Sequence, residues 1–127
     1  MKRGRDHGVG SYEEVKAFCR NSQKFGSFYK NGDPNMLPGW PDVLRLYDNK
    51  DDVDLYAGLL MEEHMQGAQV GPTAGCIIAE QFVALKRGDR FWIDNHGVLS
   101  NDQLREIKTL TLSKLMCNTL ENMSKGG

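Results

Sequence analysis

The residues best equipped for chemistry stand near the start of the chain, in Arg3-Gly4-Arg5-Asp6-His7-Gly8. Two guanidinia separated by a glycine can fork onto a carboxylate or a phosphate, and Asp6 can hold one of them through a bidentate pair. Cys19, Cys76 and Cys117 lie far apart, with no C-x-x-C pair and no cysteine/histidine cluster at zinc spacing. In a reducing compartment they read as three buried thiols. In an oxidising one, a single pair could bridge and the third cysteine would lack a mate. His7, His64 and His96 have no serine or cysteine at a recognisable nucleophile spacing, and each reads as a surface or hydrogen-bonded structural histidine. Asp48 to Asp54 gathers four acidic residues, but Lys50 occupies the third loop position and the sixth lacks glycine. The segment therefore fails the calcium-loop template and reads as a solvated turn between helices. No active site is visible in the residues alone.

The 127 residues, 14.3 kDa, suffice for one domain and not clearly for two. Sixteen basic against 17 acidic residues leave a net charge of −1, which argues against a nucleic-acid partner, because phosphate neutralisation needs a basic surplus. No apolar run approaches a membrane span, and no leader of signal-peptide type is visible. Asn122-Met123-Ser124 is a glycosylation triplet and leans slightly toward the secretory route.

Short helices must position these residues. Ser11 with Glu14 forms a capping box, and Val15, Phe18 and Cys19 at i, i+3, i+4 spacing carry a helix to about Arg20 with Cys19 inward. Residues 21–40 keep no period, are punctuated by glycine and proline, and read as a long loop. Pro41 suits a first helical position, with Val43, Leu44, Leu46 and Tyr47 as an apolar side. Val53, Leu55, Leu59 and Leu60 suggest another short helix.

Pro72 to Arg87 is the clearest element. It is opened by Gly71-Pro72, closed by Gly88, and has Lys86 and Arg87 in its last turn. Its wide apolar arc predicts a helix buried among other helices. Phe91-Trp92-Ile93 reads as a strand or a packed turn. Ser100 with Gln103 caps a helix carrying Leu104 and Ile107, and a last helix carries Leu112, Leu115, Met116 and Cys117. Residues 118–127 thin into a fraying tail. The class is mainly α, with several short helices and almost no sheet.

Taken in order, Arg3-Gly4-Arg5-Asp6-His7-Gly8, Tyr12 and Phe18-Cys19 resemble the R-x-R-D-H-G…Y…F-C signature of the animal haem peroxidases. The resemblance continues in Asp52-Val53-Asp54-Leu55-Tyr56, Val70-Gly71-Pro72-Thr73 and Cys76-Ile77-Ile78-Ala79-Glu80-Gln81-Phe82. Gly88-Asp89-Arg90-Phe91-Trp92 and Leu115-Met116-Cys117-Asn118 complete it. It covers nearly the whole chain apart from the loop around 21–40. Gly10 and Ala57 depart from the residues that many members carry there.

The resemblance implies the C-terminal part of the family's catalytic domain, as a partial domain over 1–127. Its partner would be the missing N-terminal part of the same domain. The histidine that ligates the haem iron, the distal histidine and arginine, the carboxylates that esterify the haem, and the calcium site would all lie upstream. An asparagine contacting the proximal histidine would stand just before Met1. Arg3 matches the arginine that pairs with a haem propionate. Arg5, Asp6 and His7 match scaffolding beneath the haem. Cys19 and Cys76 match a family disulfide, and Cys117 matches a cysteine whose mate lies beyond residue 127.

The implied activity is reduction of hydrogen peroxide and oxidation of halide or organic donors, in response to oxidative stress, by a secreted or extracellular protein. The segment by itself is expected to bind haem poorly and to turn nothing over. A non-enzymatic adhesion or matrix module on the same scaffold is the alternative, and the upstream coding sequence would discriminate the two.

Overall fold

A computed structural model describes residues 2–29 and 32–124, with side chains as far as Leu120. Among the described residues there are seven α-helices and two short 3-10 turns, and the sole strand-like features are the isolated antiparallel bridges Ser11–Asp54 and Met36–Glu62. The mainly α class is what the helical periodicities and capping boxes predict. The chain divides into two compact units, one reaching Val83 and one starting at Ala84.

In the first unit, α1 spans Lys2–Asp6 and α2 spans Tyr12–Asn21. The capping box of α2 forms as its sequence dictates. Ser11 Oγ accepts from the Glu14 amide, and the Glu14 carboxylate accepts from the Ser11 amide. Cys19 is buried, but Phe18 is 72% exposed. Successive helical positions lie about 100° apart, so turning Val15 and Cys19 to the core turns Phe18 away.

Within the 21–40 stretch the structure inserts a 3-10 turn, Gly26–Tyr29. It then pairs the segment backward: the Leu37 amide donates to the Met61 carbonyl, and the Glu63 amide to the Asn35 carbonyl. Lys30 and Asn31 lie outside the described residues. α3, Trp40–Leu44, starts beside Pro41 as expected but stops before Leu46, which is solvent-exposed. A 3-10 turn, Lys50–Asp52, precedes α4, Leu55–Met61. The Asp48–Asp54 stretch is thus a turn between helices, as its composition indicates.

α5, Pro72–Gly88, runs through both units. Its expected burial among other helices needs correction. Cys76 and Ala79 pack into the core cluster with Cys19, Phe25, Tyr29 and Val15, whereas Ile78 and Phe82 remain 47% and 55% exposed. Only one side of the helix meets the first unit's core.

In the second unit, Phe91-Trp92-Ile93 falls in turns rather than a strand. The Trp92 indole donates to Asp94, and Lys86 lies over its ring. α6, Asn101–Thr109, carries the Ser100/Gln103 capping box. α7, Leu112–Ser124, continues past Asn118, where composition predicts fraying. Residues 125–127 lie outside the described part, and Asn122 falls within α7.

Candidate functional site

Arg5, Tyr12 and the Val53-Asp54 turn, from separate parts of the chain, meet at the start of α2. Arg5 is bound by Asp54 in a fork, Nε to Oδ1 and Nη2 to Oδ2, both 2.8 Å. The expected local partner, Asp6, is not the one used. A bidentate pair needs a carboxylate facing the whole guanidinium edge, and the turn before α4 delivers Asp54 there across 49 residues. The Tyr47 hydroxyl also donates to Asp54 Oδ2, at 2.9 Å. Hydrogen bonding from Arg5, then from Tyr47, outweighs desolvation and holds the Asp54 carboxyl below the usual range. Just beyond, the Tyr12 amide donates to the Val53 carbonyl, fixing α2 against this turn.

A buried polar chain ties the next pieces together. The Tyr12 hydroxyl donates to Glu62 Oε1 at 2.9 Å, and the Thr73 amide, in the first turn of α5, donates to Oε2 at 2.9 Å. Glu62 therefore places a carboxylate at the positive end of α5, where unpaired amides and the helix dipole favour it. The Tyr29 hydroxyl and Thr73 Oγ1 are 2.7 Å apart and complete the chain. Burial pushes the Tyr12 phenol far above its ordinary pKa, reinforced by the Glu62 charge. Burial likewise raises Tyr29 to about 12. No buried side-chain polar atom among the described residues lacks a partner.

Two glycines make room for this chain. A Cβ on Gly58 would enter the Tyr12 ring, and one on Gly71 would enter the Glu62 side chain. Glu62 escaped sequence reading because Met61-Glu62-Glu63-His64-Met65 has no helical or strand period. Gly71, invariably in view beside Pro72, was legible only as a helix opener.

Cys19 and Cys76 are joined as a disulfide across 57 positions, with Cα atoms 6.1 Å apart. Their 1–2% exposure places the bond inside the core cluster. Cys117 carries a free, exposed thiol. Among the described residues no group of three or more His, Cys, Asp or Glu is arranged to hold a metal ion.

Arg3 differs from Arg5. It is exposed and has no side-chain hydrogen bond or ion pair among the described residues. Gly4, Val9, Asp54, Leu55, Tyr56 and Leu59 line a recess, and Arg3 is not among its lining residues. An exposed guanidinium with no partner among the described residues is free to fork onto a carboxylate.

The order of the motifs and the mainly helical fold are those of a peroxidase-type chain, and the comparison with known families agrees. The animal haem peroxidase profile matches residues 1–126, and the chain belongs to that family. It is 39% identical over 133 residues to Peroxidase skpo-1 of Caenorhabditis elegans, a match covering all of this chain and 19% of that protein. It is 35% identical to Peroxidase of Drosophila melanogaster, covering 98% of this chain and 18% of the relative. It is 33% identical to the Peroxidasin homolog of Homo sapiens, covering 98% and 8%. The chain thus spans a fifth or less of the length of these relatives. The family is one of haem-binding oxidoreductases. No helix among the described residues is long and apolar enough to cross a membrane.

Proposed function

We propose that this chain is the C-terminal part of the catalytic domain of a secreted haem peroxidase that reduces hydrogen peroxide and oxidises halide or organic donors, with a role in the response to oxidative stress. The observation that carries this reading is the junction itself. Signature pieces separated by 49 and 57 positions are joined by the Arg5–Asp54 fork and the Cys19–Cys76 bond, which a chance scatter of motifs would not produce. The disulfide supports an oxidising, extracellular destination.

Haem, when bound, supplies the redox chemistry at its iron. The residues of this chain position and do not react. Arg3 offers its guanidinium to one haem propionate, as a charge-assisted fork onto a carboxylate. Arg5 is withheld from that task by Asp54 and Tyr47, and instead fixes α1 to the turn before α4. The Tyr12–Glu62–Thr73 chain excludes water behind the junction and keeps α2, α4 and α5 in register. The iron ligands, the peroxide-cleaving groups and the calcium site belong to a preceding part of the domain, which is also this segment's partner. Cys117 awaits a mate outside the segment.

The test replaces the matched segment of Peroxidase skpo-1 with residues 1–127 of this chain. The chimaera is expected to take up haem and to oxidise a donor with peroxide. The 127-residue chain with added haem is expected to show no turnover above free haem. Changing Arg3→Gln in the chimaera should weaken the initial uptake of haem roughly tenfold, the loss of one charged hydrogen-bond contact, with Arg3→Lys recovering part of it. A chimaera that folds with its disulfide intact yet takes up no haem would overturn the reading in favour of a non-enzymatic adhesion module. Turnover by the 127 residues alone would overturn the assignment as a partial domain.

A further inference from the structure

Tyr12 stands among groups that can lose an electron or take up a proton. It is 1% exposed, and its hydroxyl donates to Glu62 Oε1 at 2.9 Å. The Trp40 indole meets its ring edge to face, with centroids 5.9 Å apart and planes at 66°. Trp40 is half-buried, so the ring contact leads from the core toward solvent. A buried phenol that lost an electron and kept its proton would be an unpaired charge in the core. The Lys16 ammonium, 5.1 Å from the ring centroid, would add to that cost. Electron loss at Tyr12 therefore needs a base within hydrogen-bond reach, and the Glu62 carboxylate is one.

The other tyrosines lack this arrangement. Tyr47 also donates to a carboxylate, but Arg5 forks onto that carboxylate and holds its proton affinity down. Tyr29 meets Thr73 Oγ1, which is no base at neutral pH, and Tyr56 is 64% exposed. The Glu62 carboxylate is held by the Tyr12 hydroxyl and the Thr73 amide, with no cation paired to it among the described residues.

We infer that Trp40, Tyr12 and Glu62 form a one-electron relay, in which Trp40 exchanges electrons near the surface, Tyr12 holds the oxidising equivalent as a neutral phenoxyl and Glu62 holds its proton. One electron leaves Tyr12 for a one-electron oxidant, directly or through Trp40. The phenolic O–H bond breaks, and the proton forms a new O–H bond at Glu62 Oε1. The buried carboxylate is thereby discharged and keeps the Thr73 amide on Oε2. One electron from a reducing donor, passed through Trp40, and return of the proton restore the phenol. Donors too large for a closed active site then need only reach Trp40. The oxidant is of the class that a peroxide-consuming oxidoreductase generates, so its source rests on the proposed function. This task is apart from the peroxide step, where the residues of this chain only position.

Oxidation of the 127-residue chain by a photogenerated ruthenium(III) polypyridyl complex tests the relay, with electron paramagnetic resonance as the readout. Cys117 is alkylated beforehand and Tyr56→Phe forms the background, since both groups are exposed and would be oxidised directly. A neutral tyrosyl signal is expected, which Tyr12→Phe removes and deuterated water delays. Trp40→Phe should slow its appearance several-fold, whereas Trp92→Phe, whose indole is tied to Asp94, should not. Glu62→Gln keeps an acceptor for the Tyr12 hydroxyl but removes the base. It should abolish the signal while circular dichroism and the disulfide stay as in the parent.

No tyrosyl signal in the parent, a signal that survives Tyr12→Phe, or one that forms as fast in Glu62→Gln would overturn the relay. If Tyr12→Phe does not fold, Trp40→Phe decides, because it keeps an aromatic ring at a half-buried position, and an unchanged rate there overturns the proposal. The added oxidant makes the outcome independent of haem. Haem uptake by the chimaera without a relay would sink the relay alone, and a relay without haem uptake would sink the peroxidase reading alone.

Discussion

Arg3 and Arg5 show how two identical side chains two positions apart acquire different work. Arg5 is consumed by a carboxylate already engaged by Tyr47, whereas Arg3 has no such neighbour among the described residues. The sequence made the pair conspicuous but misassigned the holder, because Asp6 is adjacent in the chain and Asp54 only in space. The fork has a pH signature. Asp54 is held below its ordinary pKa, so its contribution to stability is complete above the unfolded-state value of about 3.9 and is lost as pH falls through the lowered folded value. Asp54→Asn should therefore lower the urea midpoint slightly at pH 7 and flatten the decline of stability below about pH 4. Denaturation curves between pH 3 and pH 7 measure both. A variant whose acid sensitivity matches the parent would show that the exposed fork contributes nothing to the fold.

At the scale of elements, the most demanding contact is between α4 and α2, where Gly58 lies against the Tyr12 ring. Gly58→Ala should cost about 1–3 kcal/mol by overpacking, although alanine favours helices, and the ring has no free direction to move because its hydroxyl is held by Glu62. An exposed control, Gly88→Ala at the end of α5, meets nothing and should be close to neutral. Thermal melts of the two variants separate packing from propensity, and an unperturbed Gly58→Ala would contradict the close approach.

Which elements were readable follows from the same physics. α2, α5 and α6 announce themselves through caps and periods that act within a few residues. The Met36–Glu62 bridge and the Glu62 clamp do not, since each is set by partners 11 to 50 positions away. The exposed side of α5 was unreadable for a related reason: periodicity reports that a face is apolar, not whether this chain supplies its cover.

Across the whole molecule, stability rests on a small core. Among the described residues the central cluster is Cys19, Phe25, Tyr29 and Cys76, and half of it is the disulfide. Closing a loop of 57 positions removes chain entropy from the unfolded state worth about 4 kcal/mol. That is a large fraction of the net stability of a typical domain. The order of events on reduction follows. Alkylation of the native chain should label one thiol, Cys117, and labelling after reduction under denaturing conditions should find three. Joint replacement of Cys19 and Cys76 by alanine should lower the stability of the first unit by about 4 kcal/mol, because that bond crosses from α2 to α5 with little apolar mass to substitute for it. The helical signal of α6 and α7 should change less, since no bond of theirs is cut. Mass spectrometry of the alkylated forms and circular dichroism in increasing urea report these quantities. Three labelled thiols in the untreated native chain would remove the oxidising compartment, and with it the secreted peroxidase, from consideration.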